Sequence, residues 1–217
     1  MLRAAASQAE RFAGRAPEAP PRPHQAALIG PNAVIQLAAA IDRLQGHDLT
    51  RAIFAEAGQA HHLDNPPEEM IDESDVISLH RTGRLLLGEG AFMAVTGLAG
   101  RSTGDYILAH RIPPAARAIL PRLPDFIASR MLARAIVNHA WTFTGSGRCA
   151  CEFVREGALF TIEDSPLTRD VQSTTPCCHY YTATFERLFR VLVSPRLRVS
   201  EIRCTAAGAR DCRFLVN

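Results

Sequence analysis

The stretch Glu201–Cys212, EIRCTAAGARDC, decides the fold because it marks a turn between two short strands. The pieces RLRVSEIRC and CRFLVN, on either side of its Ala-Ala-Gly, have the alternation of strands, and the glycine favours a tight connection. The sequence therefore predicts an antiparallel hairpin. A carboxylate and two thiols, at Glu201, Cys204 and Cys212, also make this hairpin a candidate metal-binding segment.

The chain before the hairpin predicts one helix and, further back, three strands. CCHYYTATFERLFRVLVS has helical spacing of its apolar residues. At His139 the spacing changes from helical to alternating, so Trp141 and Phe143 are expected on one strand. Cys149 and Cys151 follow on a second strand after the turn TGSGR, and GALFTIED forms a third after the turn REG. The C-terminal half is thus predicted as β-β-β-α-β-β.

The N-terminal half is predicted to be mostly helical. NAVIQLAAAIDRL and HDLTRAIFAEAG have helical periodicity and follow a flexible tail at residues 1–25, which is rich in Pro, Ala and Arg. We therefore predict an α+β fold with N-terminal helices packed on a C-terminal antiparallel sheet. No linker interrupts the rest of the chain, so residues 26–217 are expected to form a single domain.

Glycines and prolines predict where the later helices end. An amphipathic stretch is expected to stop near Gly97 to Gly100 and to give way to a loop, RSTGDYILAHRIPP. Pro121 and Pro124 are expected to separate a short helix from a longer one that starts near Asp125. Both breaks place irregular segments in the middle of the chain.

The composition is that of an ordinary globular protein, with 47% hydrophobic and 21% charged residues. The formal net charge of +2 argues against a dedicated nucleic-acid-binding surface. No run of about eighteen apolar residues predicts a transmembrane segment, and the N-terminus lacks the apolar core of a signal peptide. A cytoplasmic location is therefore expected, in which the six cysteines would be thiols rather than disulfides.

The helix before the hairpin can add a fourth donor to Glu201, Cys204 and Cys212. Cys178 lies nearer the centre of that helix's apolar face than Cys177, which makes Cys178 the better candidate and Cys177 its competitor. Tetrahedral zinc commonly takes three or four thiolates. In a straight strand Glu201 and Cys204 would face opposite ways, so a metal site requires the strand to end or bulge there. The alternative is that the cysteines simply fill the core.

The order Cys178, Glu201, Cys204, Cys212 at the end of an antiparallel sheet resembles the vinyl-4-reductase domain family. HAWTFTGSG, which begins at His139, resembles the signature of the bacteriochlorophyll 4-vinyl reductase group within that family. The resemblance implies that these three thiols and the carboxylate bind zinc, which would be structural because no coordination position stays open. It also implies a fold similar to that of TRAPP subunits, often dimeric through its helices, so a homodimer is one expected state.

The resemblance further implies a ligand from bacteriochlorophyll biosynthesis, namely a Mg-tetrapyrrole such as divinyl protochlorophyllide or a Mg-porphyrin. A pocket between helices and sheet is expected, with Trp141, Phe143 and Phe153 as walls. His139 is the candidate axial ligand of the magnesium ion. Ordinary core packing is the alternative for each aromatic side chain, and a hydrogen-bonded structural role is the alternative for the histidine.

These expectations leave more than one class of function. We favour an accessory protein or carrier that hands the pigment to pathway enzymes such as Mg-chelatase or Mg-protoporphyrin methyltransferase. The alternative is a 4-vinyl (8-vinyl) reductase that converts the divinyl to the monovinyl pigment. That reaction needs two electrons and a proton, and no NAD(P)-binding GxGxxG motif follows a predicted strand. A small-ligand-sensing module is a third alternative.

Overall fold

The computed structural model describes residues 27–217, so the tail predicted at residues 1–25 lies outside the described residues. The opening pair of helices and the break at the prolines are confirmed, whereas the single-domain prediction stays a prediction. The helices are α1 (Asn32–Gln45), α2 (His47–Glu56), α3 (His61–Asp64), α4 (Glu73–Leu87), α5 (Glu89–His110), α6 (Pro114–Ile119), α7 (Asp125–Asn138), α8 (Trp141–Thr144) and α9 (His179–Leu192). The strands are β1 (Leu28–Ile29), β2 (Ile71–Asp72), β3 (Arg148–Val154), β4 (Gly157–Glu163), β5 (Val199–Arg203) and β6 (Cys212–Val216).

The main sheet has the strand order β3-β4-β6-β5, and each neighbouring pair is antiparallel. The predicted hairpin is confirmed as β5 and β6. Residues paired across the strands share a face, which puts Cys151, Phe160, Phe214 and Glu201 in one row. This face packs against α9, where the ring of Phe185 stacks on Phe160 at 4.9 Å between centroids. The α+β class, with helices on an antiparallel sheet, is confirmed.

The first of the three strands predicted after His139 is wrong, because Trp141–Thr144 forms the single-turn helix α8. The amide groups of Phe143 and Thr144 both donate to the carbonyl oxygen of Ala140, which closes the turn. Two aromatic residues one position apart cover too short a segment to distinguish a strand from one helical turn. The C-terminal half is therefore β-β-α-β-β after α8.

The predicted helix end near Gly97 to Gly100 and the loop after it are also wrong, since α5 continues to His110. Gly100 and Gly104 lie against α9, where a side chain would not fit. The hydroxyl of Thr184 in α9 donates to the carbonyl oxygen of Gly100 at 3.0 Å. These glycines bring two helices together rather than end one. Although α5 is long, no helix within residues 27–217 is both long and apolar enough to cross a membrane.

A buried carboxylate, that of Glu73 at the start of α4, joins two distant loops. It accepts hydrogen bonds from the amide and the hydroxyl of Ser146, and it pairs with Arg169 at 2.6 Å. Gly145 passes close by with φ +57°, where a side chain would collide with this carboxylate. Burial raises the pKa of Glu73, but the bonds from Ser146 and Arg169 outweigh it and hold the pKa below its ordinary value.

Candidate functional site

Four side chains from α9 and the β5–β6 hairpin converge on one point. Cys178 is the N-cap residue of α9, Glu201 lies in β5, Cys204 follows β5 and Cys212 begins β6. One potential ligand atom from each of the four lies within 4.8 Å of all the others. The structure thus brings together the four residues that the sequence predicts as metal ligands.

A β-bulge makes this convergence possible. The register of β5 against β6 shifts between Glu201 and Arg203. The shift lets Glu201 and Cys204 face the same point although they are three residues apart, as a metal site required. Gly208 then takes a left-handed conformation, with φ +86°, and the chain returns to Cys212.

The spacing of the sulfur atoms suits a tetrahedral metal. The Sγ atom of Cys178 lies 3.6 Å from that of Cys212 and 4.0 Å from that of Cys204. Two sulfurs, each about 2.3 Å from a tetrahedral zinc ion, are about 3.8 Å apart. Cys177 approaches only Cys204 among these, at 3.8 Å, and lies outside the group of four. The geometry therefore selects Cys178 over its competitor.

The carboxylate of Glu201 is half satisfied by the protein. Its Oε2 atom accepts a hydrogen bond of 2.7 Å from the backbone N–H of Cys178. Its Oε1 atom is buried and has no hydrogen-bond partner within residues 27–217. Burial, and then the charge of Cys204, raise the pKa of Glu201 to about 8. An unpaired buried carboxylate oxygen is costly, so this donor fits a bound cation.

The thiols are arranged to share negative charge. Burial raises the pKa of the Cys178 thiol, whereas hydrogen bonds from the thiols of Cys177, Cys178 and Cys212 lower the pKa of Cys204. The amide and hydroxyl of Thr205 lie 3.4 Å from the sulfur of Cys212, where they can stabilise a thiolate. Several anionic donors this close together can all ionise only beside a cation. The donor set fits a divalent metal that prefers sulfur, such as zinc.

Arg84 in α4 is a residue near the cluster that the sequence did not identify. Its side chain is 14% exposed and forms an ion pair with Glu89. Burial lowers the pKa of Arg84, but Glu89 and the charges of Cys177 and Cys178 outweigh this effect and raise the pKa. The guanidinium thus offsets part of the negative charge of the thiols. No motif links α4 to the hairpin, so only the tertiary structure reveals this contact.

The four residues predicted to line a ligand pocket do not form one between the helices and the sheet. Phe143 packs into the core against Phe185, with 6.0 Å between ring centroids. Trp141 is 60% exposed and Phe153 is 41% exposed. His139 is exposed just after the end of α7. Core packing, the alternative considered for the aromatic residues, applies to Phe143, while the other three lie at the surface.

His139 and Trp141 nevertheless make a chemically distinctive surface. The Nδ1 atom of His139 lies 2.8 Å from the carbonyl oxygen of Ala135. Because a carbonyl oxygen only accepts hydrogen bonds, Nδ1 carries the ring proton and Nε2 keeps its lone pair. The exposed indole of Trp141 lies two residues further along the chain. This surface therefore offers an imidazole lone pair for a metal ion, with an aromatic ring close by in the sequence.

Two cavities lie elsewhere, with volumes of about 270 Å³ and 300 Å³. Neither is lined by His139, Trp141, Phe143 or Phe153. The first is polar and is lined by Asp164, Ser165, Thr168, Arg169, Thr205 and Arg210. The second is lined by Arg51, Ala52, Ala55, Ala60, Leu63 and Asp64. Both are at the lower end of the range for small-molecule sites, about 300–1,000 Å³.

A second group of potential metal ligands, His61, His62 and Asp75, also lies within 4.8 Å. Nε2 of His62 lies 3.1 Å from one carboxylate oxygen of Asp75, and the amide of Gln59 donates to the other oxygen at 2.9 Å. These hydrogen bonds connect α3 and the preceding loop to α4. They give His62 and Asp75 a structural role without a metal.

Residues 159–217, which contain all four converging side chains, match the model of the vinyl-4-reductase domain family. The fold and the thiol-carboxylate site thus define a protein with a vinyl-4-reductase domain, as the resemblance predicted. The chain is 41% identical over 189 residues to the bacteriochlorophyll synthase 23 kDa chain of Rhodobacter capsulatus, covering 87% of this chain and 86% of the relative. It is 41% identical over 186 residues to the protein of the same name from Cereibacter sphaeroides, covering 86% and 88%. The chain belongs to the family of these bacteriochlorophyll synthase 23 kDa chains.

Solved structures of other proteins have a similar fold. A structure from a study of haem distortion in the H-NOX family is similar with a TM-score of 0.54 at 12% identity, covering 87% of this chain and 94% of that one. The phenol-responsive sensory domain of the transcription activator PoxR is similar with a TM-score of 0.51 at 16% identity, covering 69% and 77%. At these identities the likeness concerns the fold alone.

Proposed function

We propose that the protein is an accessory protein of bacteriochlorophyll biosynthesis that binds a Mg-tetrapyrrole intermediate and presents it to pathway enzymes. Its membership of the family of bacteriochlorophyll synthase 23 kDa chains supports the pathway. The intermediate would be of the divinyl protochlorophyllide or Mg-porphyrin type. The receiving enzymes would be Mg-chelatase or Mg-protoporphyrin methyltransferase.

The observation that carries the pigment proposal is the fixed tautomer of His139. Its Nε2 lone pair is held in a solvent-exposed position by the hydrogen bond from Nδ1 to Ala135. A Mg-tetrapyrrole accepts one axial nitrogen or oxygen donor, and a neutral imidazole is suited to this role. The exposed Trp141 can contact the flat face of the macrocycle, an apolar surface of the kind that indole rings bind. The proposed site is therefore a surface rather than a buried pocket.

The fold is compatible with such a ligand. One structural neighbour comes from a study of haem, which is also a metal tetrapyrrole, although the likeness to it reaches only the fold. In this chain the layer between α9 and the sheet is filled by stacked rings such as Phe160 and Phe185. A pigment would therefore bind outside that layer, where other proteins can take it up.

We further propose that Cys178, Glu201, Cys204 and Cys212 hold one zinc ion per chain. The buried oxygen of Glu201 that has no partner supports this assignment. With three thiolates and one carboxylate the ion has no open coordination position, so its role is to tie the hairpin to the start of α9. It contributes stability and takes no part in chemistry at the pigment.

Pigment titration tests the carrier proposal. Purified protein is mixed with divinyl protochlorophyllide, and the pigment absorption spectrum and the fluorescence of Trp141, the chain's single tryptophan, are followed. His139→Ala should abolish the spectral change of axial ligation and weaken binding by at least about tenfold, whereas His47→Ala, at another exposed histidine, should bind as the unchanged protein does. Equal binding by all three proteins contradicts the assignment of His139.

The same mixture with NADPH distinguishes the carrier from the vinyl reductase. A carrier binds the divinyl pigment and returns it unchanged, because hydride transfer requires a bound donor. The monovinyl product, measured by chromatography with no other protein present, would instead identify a reductase. Transfer of bound Mg-protoporphyrin to the methyltransferase, faster than release into buffer, would support the handover step.

A further inference from the structure

The outward side of α7 carries apolar side chains where a surface helix normally carries polar ones. Phe126 is 61% exposed, Met131 is 52% exposed and Ile127 is 36% exposed. The inward side of the same helix is also apolar, with Ala128 and Leu132 buried against the rest of the protein. At 100° per residue, the exposed and buried sets lie on opposite sides of the helix. Burial in the core therefore does not explain the exposed set.

Two arginines lie among these exposed side chains. Arg130 and Arg134 are four residues apart and fall on the same side of the helical wheel as Phe126. The guanidinium of Arg130 lies 6.0 Å from the ring of Phe126 and 4.7 Å from the ring of Phe153 in β3. Within the described range 27–217, neither arginine forms an ion pair with a carboxylate. We call Phe126, Ile127, Arg130, Met131, Arg134 and Phe153 the α7 face.

Positive charge is concentrated in the segment that carries this face. Residues 111–138 contain five arginines and one acidic residue, Asp125, whereas the whole chain has a formal net charge of only +2. Asp125 falls on the opposite side of the helical wheel from Arg130 and Arg134. The exposed Ile119, just before α7, adds another apolar side chain to the same segment. The surface is thus apolar and cationic together.

We infer that the α7 face docks the protein onto the surface of an anionic lipid bilayer. Aromatic and aliphatic side chains on a helix that lies flat in the interface enter the boundary between headgroups and acyl chains, while arginines contact the lipid phosphates. Phe126 and Met131 would supply the inserted groups. The long side chains of Arg130 and Arg134 can bend towards the headgroups while their methylene groups stay in apolar surroundings.

The charge of this face disfavours a second copy of the chain as its occupant. In a two-fold symmetric dimer the same patch meets itself. That arrangement would bring Arg130 and Arg134 of both copies together without an acidic partner on the face, and like charges in an interface are destabilising. An anionic bilayer supplies the missing negative charge and an apolar layer at once.

This docking goes beyond the proposed function and does not depend on it. His139 directly follows the last residue of α7, so a docked α7 face would hold the His139–Trp141 surface close to the bilayer. An apolar pigment could then pass between protein and membrane over a short distance. Docking can be measured without pigment and with the full chain.

Vesicle flotation tests the inference. The full chain is mixed with vesicles of phosphatidylcholine, or with vesicles in which about one third of the lipid is phosphatidylglycerol. We expect binding to the anionic vesicles that weakens as salt is raised, because surface charges are screened. Arg130→Gln with Arg134→Gln should weaken binding about 30-fold, from about 1 kcal/mol per arginine near an anionic surface. Phe126→Ser with Met131→Ser should weaken it at least about tenfold.

Matched variants away from the face complete the test. Arg43→Gln with Arg51→Gln, and Leu85→Ser, whose side chain is 79% exposed, should bind vesicles as the unchanged protein does. Equal unfolding temperatures for all variants show that each is folded. No binding to anionic vesicles, or equal losses in the matched variants, overturns the inference. A dimer in ultracentrifugation that Phe126→Ser with Met131→Ser dissociates would assign the face to a second copy and overturn it as well.

Discussion

A Cβ atom on Gly100 would lie 2.2 Å from the carbonyl oxygen of Tyr180, so the backbones of α5 and α9 are in direct contact. One turn later a Cβ on Gly104 would lie 2.8 Å from the Cβ of Arg187. Neither position has room for even a methyl group, since the colliding atoms belong to the backbone or to the base of a side chain. The helical half and the α9–sheet half are joined along this line.

Alanine substitutions in α5 should therefore have opposite effects at neighbouring glycines. Gly100→Ala should lower the free energy of unfolding by about 1–3 kcal/mol or more, because the two helices must move apart. Gly97→Ala is the matched control, since its nearest neighbour would be the end of the Arg101 side chain at 3.8 Å. That variant should gain up to about 1 kcal/mol from helix propensity. Urea denaturation of both variants measures the difference, and equal effects would contradict the backbone contact.

The thiol cluster predicts the metal content. Protein prepared without chelators should contain about one zinc ion per chain, and Cys212→Ser should lose it. The free energy of unfolding should fall by several kcal/mol, since zinc contributes about 10 kcal/mol or more in structural sites. Elemental analysis and denaturation measure the two effects. Cys151→Ser, half-buried on the sheet and outside the cluster, should keep its zinc, and Cys177→Ser should keep it as well.

The buried carboxylate of Glu73 predicts a pH dependence of stability. Its pKa in the folded protein lies below the ordinary value of 4.5, so its contribution is present above about pH 4.5 and is lost as the pH falls through the folded value. Glu73→Gln should cost about 1.5–3 kcal/mol at neutral pH, because hydrogen bonds to a charged group are lost. Its stability should also fall less between pH 5 and pH 3, where the unchanged carboxylate would become protonated. Thermal unfolding across this range measures both, and parallel curves would argue against the Glu73 network.

Trp141 predicts a separation of pigment binding from stability. Trp141→Ala should weaken binding of divinyl protochlorophyllide by about 1–3 kcal/mol, the value of a contact with a large aromatic ring. Zinc content and unfolding temperature should stay unchanged, because the indole is 60% exposed and belongs to neither the core nor the cluster. Phe143→Ala is the contrasting variant, since Phe143 packs on Phe185 and its loss should destabilise the protein by about 3–5 kcal/mol. Unaltered pigment binding by Trp141→Ala would remove this residue from the site.

The hairpin and its metal ligands could be predicted from the sequence because they lie close together along the chain. Alternation placed β5 and β6, and the need for a bulge followed from the three-residue step between Glu201 and Cys204. The choice of Cys178 followed from its position on the apolar side of α9. Such local patterns carry most of the information about this end of the molecule.

Other features could not be predicted, because distant contacts decide them. The glycines of α5 are ordinary helix-ending signals in the sequence, and only the approach of α9 explains why Gly100 continues the helix. Trp141 and Phe143 alternate over too few residues to distinguish a strand from the turn that α8 forms. Arg84 reaches the thiols from a helix nearly a hundred residues away in sequence, which no local pattern records.

The short step from Cys178 to Tyr180 links the cluster to the contact between α5 and α9. Both residues lie at the first turn of α9, one facing the hairpin and the other pressing its carbonyl group against Gly100. Removal of a metal from the cluster would free this turn to fray, and the clasp on α5 would open with it. Amide protons around Gly100 should then exchange with deuterium faster in metal-free protein, although no residue of α5 is a ligand. The occupancy of one ion would thus set how often a distant helix breathes.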